Sequence, residues 1–220
     1  MLIDHRNLIV KEICEIYERI KPRIIQRIVE FQNIWRYGKD SDIFRELVFC
    51  ILTPSSRARS AGKALKRLYD TGLITGGTEQ KIAAELNIVR FRYKKASYIV
   101  QARGRFFSNN SLSLKGALLE HDSTVGRREW LVSNIKGVGY KEASHFLRNI
   151  GLDLEVAILD RHILKNLFIL GIIDQVPSHI SPRMYLEIEK RMCEYSDIMS
   201  IPVSHLDFVL WYRETGDVFK

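Results

Sequence analysis

Residues 135–147 read IKGVGYKEASHFL, and the punctuation of this stretch defines a unit of helix, short glycine hairpin, helix. Gly137 and Gly139 bracket a tight turn, and an apolar stripe of Ala143, Phe146, Leu147 and Ile150 starts directly behind it. Glycines permit positive φ and leave backbone N–H groups uncovered, while the following helix aims its first-turn amides the same way. Gly137, Val138 and Gly139 are therefore expected to seat one phosphate of a nucleic-acid backbone without reading a base; an ordinary helix corner built on two glycines is the plainer alternative. Lys141 then falls in the first helical turn, where the exposed N–H groups already carry partial positive charge and a cation is disfavoured. An amine beside a phosphate seat is a candidate nucleophile when uncharged. A lysine that merely extends into solvent and touches phosphate would look the same in sequence.

Nineteen residues beyond Lys141 comes VAILDRHILKNL, with Asp160 directly ahead of a stripe of Ile163, Leu164, Leu167 and Phe168. Asp in that place caps a helix. A capping carboxylate is also held rigidly, so if it faces the lysine it can stabilise positive charge developing on a sugar.

Outward from these two motifs, nearly every segment repeats its apolar residues with a 3.6-residue period. The pattern predicts helices from about Asp4 to Ile20, Pro22 to Tyr37, Asp42 to Leu52, Arg57 to Tyr69, Thr78 to Leu86 and Arg92 to Phe107. Further helices are predicted over Ser113 to Glu120, Thr124 to Asn134, Tyr140 to Ile150, Arg161 to Leu170, Ser181 to Tyr195 and Val203 to Thr215. Gly38, Gly72, Gly151, Gly171 and Gly216 each follow a stripe, as left-handed C-terminal caps do. Pro22 and Pro202 suit helix starts. The one β-like run, Val156 to Leu159, has no evident partner strand. The expected fold class is all-α, with no solenoid repeat and no linker rich in Pro, Gly or Ser. Any division into two halves must be a cleft between helical layers rather than a flexible tether.

The chain has 220 residues, enough to bury a real core, and 46% of them are hydrophobic. Lys and Arg number 34 against 26 Asp and Glu, a net charge of +8 that favours a polyanionic partner without specifying one. Cys14, Cys50 and Cys193 are too dispersed for a disulfide framework or a four-cysteine cluster. No apolar run has membrane-spanning length, and the N-terminal residues read as an amphipathic helix rather than a signal sequence. A location in the cytosol or with the chromosome is expected.

Together, KGVGYKEA and ILDRH resemble the helix–hairpin–helix glycosylase superfamily, whose hairpin-plus-lysine signature is followed at this separation by an aspartate. The sequence departs in having Ala157-Ile158-Leu159 where many relatives place a proline, and it lacks the cysteine cluster of the endonuclease-III-like branch. ELVFCILTPSS, YKEASHFLRNIG, LDRHIL and the tail LDFVLWYRETGDVFK are similar to the archaeal-type 8-oxoguanine DNA glycosylase/AP lyases over essentially the whole chain. The resemblance implies a two-lobed helical fold, one lobe over 42–152 carrying the hairpin and the other formed by 1–41 with 153–220 and carrying Asp160, with a DNA-binding cleft between the lobes, and a bifunctional enzyme of base excision repair. Lys141 would attack C1′ of the damaged nucleoside and Asp160 would assist. The implied partner is double-stranded DNA containing a damaged base, met by a monomer that uses no metal or cofactor and no membrane.

An amine cannot reach C1′ inside a duplex, so the nucleotide must be flipped into a pocket at a cost of a few kcal/mol. Arg57, Arg59, Lys63, Arg90, Arg92, Lys94, Lys95, Arg127 and Arg128 are candidates for the charged surface that offsets it. On the last helix Asp207 and Trp211 lie four apart, so they share a face. Taken as residues alone they read as a surface acid and a core aromatic. By resemblance, Trp211 and Phe91 stack on the flipped base and Asp207 accepts from its N1/N2 edge. By the same resemblance the terminal carboxylate of Lys220 accepts from N7–H of the lesion, since N7 of 8-oxoguanine is a donor whereas N7 of guanine is an acceptor that a carboxylate repels; an ordinary frayed terminus is the plainer alternative. The rivals at this stage are a non-catalytic helix–hairpin–helix module and a glycosylase for another damaged base, such as an oxidised pyrimidine.

Overall fold

A computed structural model describes residues 2–107 and 113–219, with side chains from residue 6 onward. The described residues form twelve helices and no strand. They are α1 (Leu2–Tyr37), α2 (Asp40–Leu52), α3 (Ala58–Asp70), α4 (Leu73–Gly76), α5 (Glu79–Glu85) and α6 (Arg92–Phe106) in the first half. The second half has α7 (Leu114–Leu119), α8 (Thr124–Asn134), α9 (Tyr140–Asn149), α10 (Arg161–Ile169), α11 (Pro182–Met199) and α12 (Val203–Thr215). The all-α expectation holds.

Two sequence expectations fail locally. Pro22 starts no new helix, because α1 runs through it unbroken. The apolar face of Ile9, Ile13, Ile16, Ile20, Ile24, Ile28 and Phe31 stays in register and buried on both sides of the proline, so packing along α12 outweighs one missing hydrogen bond. Gly38 is not left-handed, unlike the other four capping glycines. Its N–H bonds to Ile34 O, and a Cβ there would lie 2.3 Å from that oxygen, so close backbone approach is what the position requires.

The buried apolar residues fall into two clusters. One gathers α2, α3, α5 to α9 and Ile74, running from Ile43 to Ile150 around α2, whose residues Ile43 to Leu52 are buried except Arg45. The other gathers α1 with Ala157, Leu159 and the faces of α10, α11 and α12. The hairpin between α8 and α9 belongs to the first cluster, and Asp160 stands at the edge of the second.

Candidate active site

At the hairpin, Gly137 has φ +84°, and a Cβ on it would lie 2.4 Å from the Tyr98 ring, so both conformation and space demand glycine. Gly139 is extended rather than left-handed. Val138 N donates to Ile135 O (3.3 Å), and Gly139 N donates to Glu142 Oε2 (3.2 Å). Two of the three N–H groups expected to seat a phosphate are thus already engaged within the protein. Lys141 stands in the first turn of α9, as expected, and its Nζ pairs with Glu142 Oε1 at 3.0 Å. The adverse placement of the lysine is therefore offset by a carboxylate at the helix end where negative charge is favourable.

Asp160 caps α10: its Oδ1 accepts from His162 N (2.8 Å) and Ile163 N (2.9 Å). The run before it, Val156 to Leu159, is buried without being a strand. Side chains satisfy its backbone instead, as buried peptide groups require. Ala157 N donates to Glu189 Oε1 (2.9 Å), Ile158 N to Asp207 Oδ1 (3.4 Å) and Leu159 N to the Tyr185 hydroxyl (3.4 Å), while that hydroxyl donates to Ala157 O (2.6 Å).

Lys141 and Asp160, from different helices and different clusters, line one recess of about 80 Å³ together with Thr53, Ser56, His145, Arg148, Asp207, Trp211 and Phe219. Several of these residues also line a broad groove of about 1280 Å³, to which Arg57, Arg59, Arg90 and His162 contribute. Trp211 meets the His162 ring edge-on at 5.1 Å, and its buried indole N–H finds no acceptor among the described residues. Phe91 lines neither recess nor groove; it directly precedes α6 with φ +58°, and the residue is 58% exposed, with the Arg90 guanidinium over its ring. Lys220 lies outside the described residues, although Phe219 before it lines the recess and packs against Gly62 and Phe49.

Asp207 is no surface acid. It is buried and receives Arg148 Nη1 at 2.6 Å, with Arg148 also sandwiched near the Phe208 and Phe31 rings. Burial pushes the Asp207 carboxyl up, Arg148 opposes that shift, and the charge of Asp160 adds to it. Three of the basic residues expected on the charged surface are also turned inward. Arg128 is 1% exposed and forms a two-pronged pair with Glu189 (2.9 and 2.9 Å); Arg127 pairs with Asp153. Lys95 is buried, donating to Leu52 O (2.8 Å), Pro54 O (2.8 Å) and Ser56 Oγ (3.0 Å). Its pKa is pushed down to about 8 by burial first and by Lys141 next, with Glu142 pulling the other way. Sequence reasoning singled out none of Thr53, Ser56, His145, Arg148 or Phe219. For His145 a signal existed, since it lies one helical turn beyond Lys141.

An all-helical chain that brings a hairpin lysine and a helix-capping aspartate to one recess has the makings of a helix–hairpin–helix glycosylase. The family model described as 8-oxoguanine DNA glycosylase matches residues 24–201, and the chain belongs to that family. A Fusobacterium nucleatum protein named 8-oxoguanine DNA glycosylase/AP lyase is 43% identical over 98% of this chain and 99% of its own length. The crystal structure of the 8-oxoguanine DNA glycosylase of Thermotoga maritima superposes with a TM-score of 0.87 at 33% identity, covering 98% of this chain and 100% of that one. The Methanocaldococcus jannaschii 8-oxoguanine glycosylase/lyase, solved in complex with a 15mer DNA containing 8-oxoguanine, gives 0.85 at 37% identity over 97% and 100% of the two chains. Among the described residues no helix is long and apolar enough to cross a membrane.

Proposed function

We propose that this protein excises 8-oxoguanine from double-stranded DNA and then nicks the strand, using Lys141 as nucleophile and Asp160 as its partner. The observation that carries the reading is that these two side chains, from separate helices, line one recess. Uncharged Lys141 attacks C1′: the N–C1′ bond forms as the glycosidic bond breaks, and the base leaves with the bonding electron pair. The free oxygen of Asp160 stabilises the positive charge on the sugar in the transition state and helps take a proton from the attacking amine. Ring opening gives a Schiff base, which acidifies the hydrogen at C2′. Loss of that proton expels the 3′ phosphate and cuts the strand, and water then frees the lysine.

The groove between the two clusters is the proposed DNA cleft, with lobes 42–152 and 1–41 plus 153–220; the membership of the two apolar clusters supports that division. Trp211 stacks on the flipped base. Asp207, a carboxylate with four lone-pair positions of which two are occupied, still has capacity for the N1/N2 donors. Phe91, exposed beside Arg90, fits contact with the duplex better than contact with a base in the recess. The Lys220 carboxylate accepts from N7–H, a role supported by Phe219 at the recess. The protein acts as a monomer on chromosomal DNA, and nothing in this mechanism calls for a cofactor.

Borohydride trapping on duplexes carrying 8-oxoguanine tests the chemistry. A covalent adduct is expected with the wild type and none with Lys141→Gln; no adduct with any lesion would leave a DNA-binding module, and preference for an oxidised pyrimidine would change the substrate. Residues appended after Lys220 should narrow discrimination between 8-oxoguanine and guanine by about tenfold, the scale of one misplaced polar contact. A fully discriminating extended protein would remove the terminal carboxylate from recognition.

A further inference from the structure

Both helices of the hairpin motif reach across to the backbone that holds Asp160, and they do so through side chains the mechanism does not use. From α8, Arg128 grips Glu189 on α11 with both terminal nitrogens, and the Oε1 of that carboxylate also accepts from Ala157 N. From α9, the helix of Lys141, Arg148 grips Asp207 on α12, whose other oxygen accepts from Ile158 N. A third link is uncharged: Ser144 of α9 contacts the Tyr185 hydroxyl (3.1 Å), which binds both Ala157 O and Leu159 N. The three links meet three consecutive residues, and the next residue in the chain is Asp160.

The amine and the acid stand on different clusters, so no local geometry sets their separation. A displacement of about 1 Å in a reacting group can cost on the order of a hundredfold in rate. We propose that Arg128, Arg148 and Tyr185 are positioning residues which, with the carboxylates of Glu189 and Asp207, fix residues 157–159 and thereby hold Asp160 at its working distance from Lys141. The arrangement does more than bind two layers together. An apolar contact would have served cohesion, and buried ion pairs are a poor source of net stability. What the pairs add is direction, since each carboxylate orients a peptide N–H as well as an arginine.

The inference rests on the glycosylase reading, and single-turnover kinetics separate the two. Arg128→Met or Arg148→Met leaves a buried carboxylate without its partner and is liable to unfold the chain, and Glu189→Gln removes the counter-charge of the buried Arg128, so Tyr185→Phe, which removes no charge, is the primary variant and Glu189→Gln is assayed below its own unfolding transition. Each keeps its bulk, and the amide oxygen introduced by Glu189→Gln can still accept from Ala157 N. For Tyr185→Phe, excision of 8-oxoguanine is expected to slow by about tenfold with KM unchanged, and for Glu189→Gln by about tenfold to a hundredfold. Borohydride trapping on a preformed abasic duplex, which needs the Lys141 amine but no stabilisation of a departing base, should fall clearly less than excision does. In an Asp160→Asn background the same substitutions should have no further effect on excision, because they act through that carboxylate. Additive losses in the double variants, or equal losses in excision and trapping, would overturn the positioning role and leave only a structural one. Failure of the wild type to excise any base would instead overturn the functional reading.

Discussion

The two sides of the recess are built by opposite means. On the amine side, the position of Lys141 follows from its immediate neighbours: Gly137 turns the chain, Gly139 opens α9, and Glu142 binds both the Gly139 N–H and the lysine itself. On the acid side, Asp160 follows a buried run without regular structure whose N–H groups are satisfied by side chains 26 to 49 positions away in sequence. Near neighbours can be replaced only at the cost of local geometry. Distant ones can be changed one at a time, and the damage should be graded.

Asp160→Asn bears on that contrast with the largest expected effect after loss of Lys141 itself. An asparagine retains an acceptor for the first-turn amides of α10, so the cap survives while the charge is lost. Base excision should fall by about two to three orders of magnitude with duplex affinity retained, the scale of one removed electrostatic stabiliser. Turnover unchanged in single-turnover assays would take Asp160 out of the chemistry.

Gly137→Ala probes the other side and should show the complementary pattern. A Cβ there collides with the Tyr98 ring and meets a left-handed backbone, so stability should drop by about 1–3 kcal/mol and duplex affinity with it. At saturating DNA the excision rate should recover much of its wild-type value. A variant that binds normally but does not excise would show that the hairpin serves the chemistry directly, and the contrast between the two sides would fail.

The same contrast explains what the sequence disclosed. Period and caps located the helices, and the glycine hairpin with its lysine was legible because its causes lie within a few residues. So was Asp160 as a cap, from the apolar stripe behind it. Val156 to Leu159 resembled an unpaired strand because the groups that complete it belong to α11 and α12, beyond the reach of any periodicity. Arg128, Asp207 and Lys95 misled for a related reason. Charged residues are rarely buried unless paired, and their partners Glu189, Arg148 and the carbonyls of Leu52 and Pro54 are remote in the chain. Pro22 shows the converse, a strong local signal overruled because the apolar face of α1 continues through it.

Lys95 is the exception on the amine side, because its acceptors are 39 to 43 residues away, at the last residue of α2 and in the α2–α3 loop that lines the recess. In that loop Ser55 holds a left-handed φ of +54°, a conformation that a non-glycine residue keeps only when its surroundings impose it. The buried ammonium bonds to the residues on either side of Ser55, at Pro54 O and Ser56 Oγ. Its pKa of about 8, against 10.5 for an ordinary lysine, has a definite thermodynamic sign. Between those values the unfolded chain holds a proton that the folded chain has lost, so folding is increasingly favoured as pH rises. Below about 8 both states hold the proton, and that contribution is absent. Wild type measured against Lys95→Met by denaturant unfolding should therefore gain about 1 kcal/mol from pH 8 to pH 9, with no relative change from pH 6 to pH 7. The comparison cancels groups common to both proteins, including whatever the lost hydrogen bonds cost the variant at every pH. A difference that stays flat to pH 10 would mean that Lys95 keeps an ordinary proton affinity, and that the loop rather than the lysine yields to its burial.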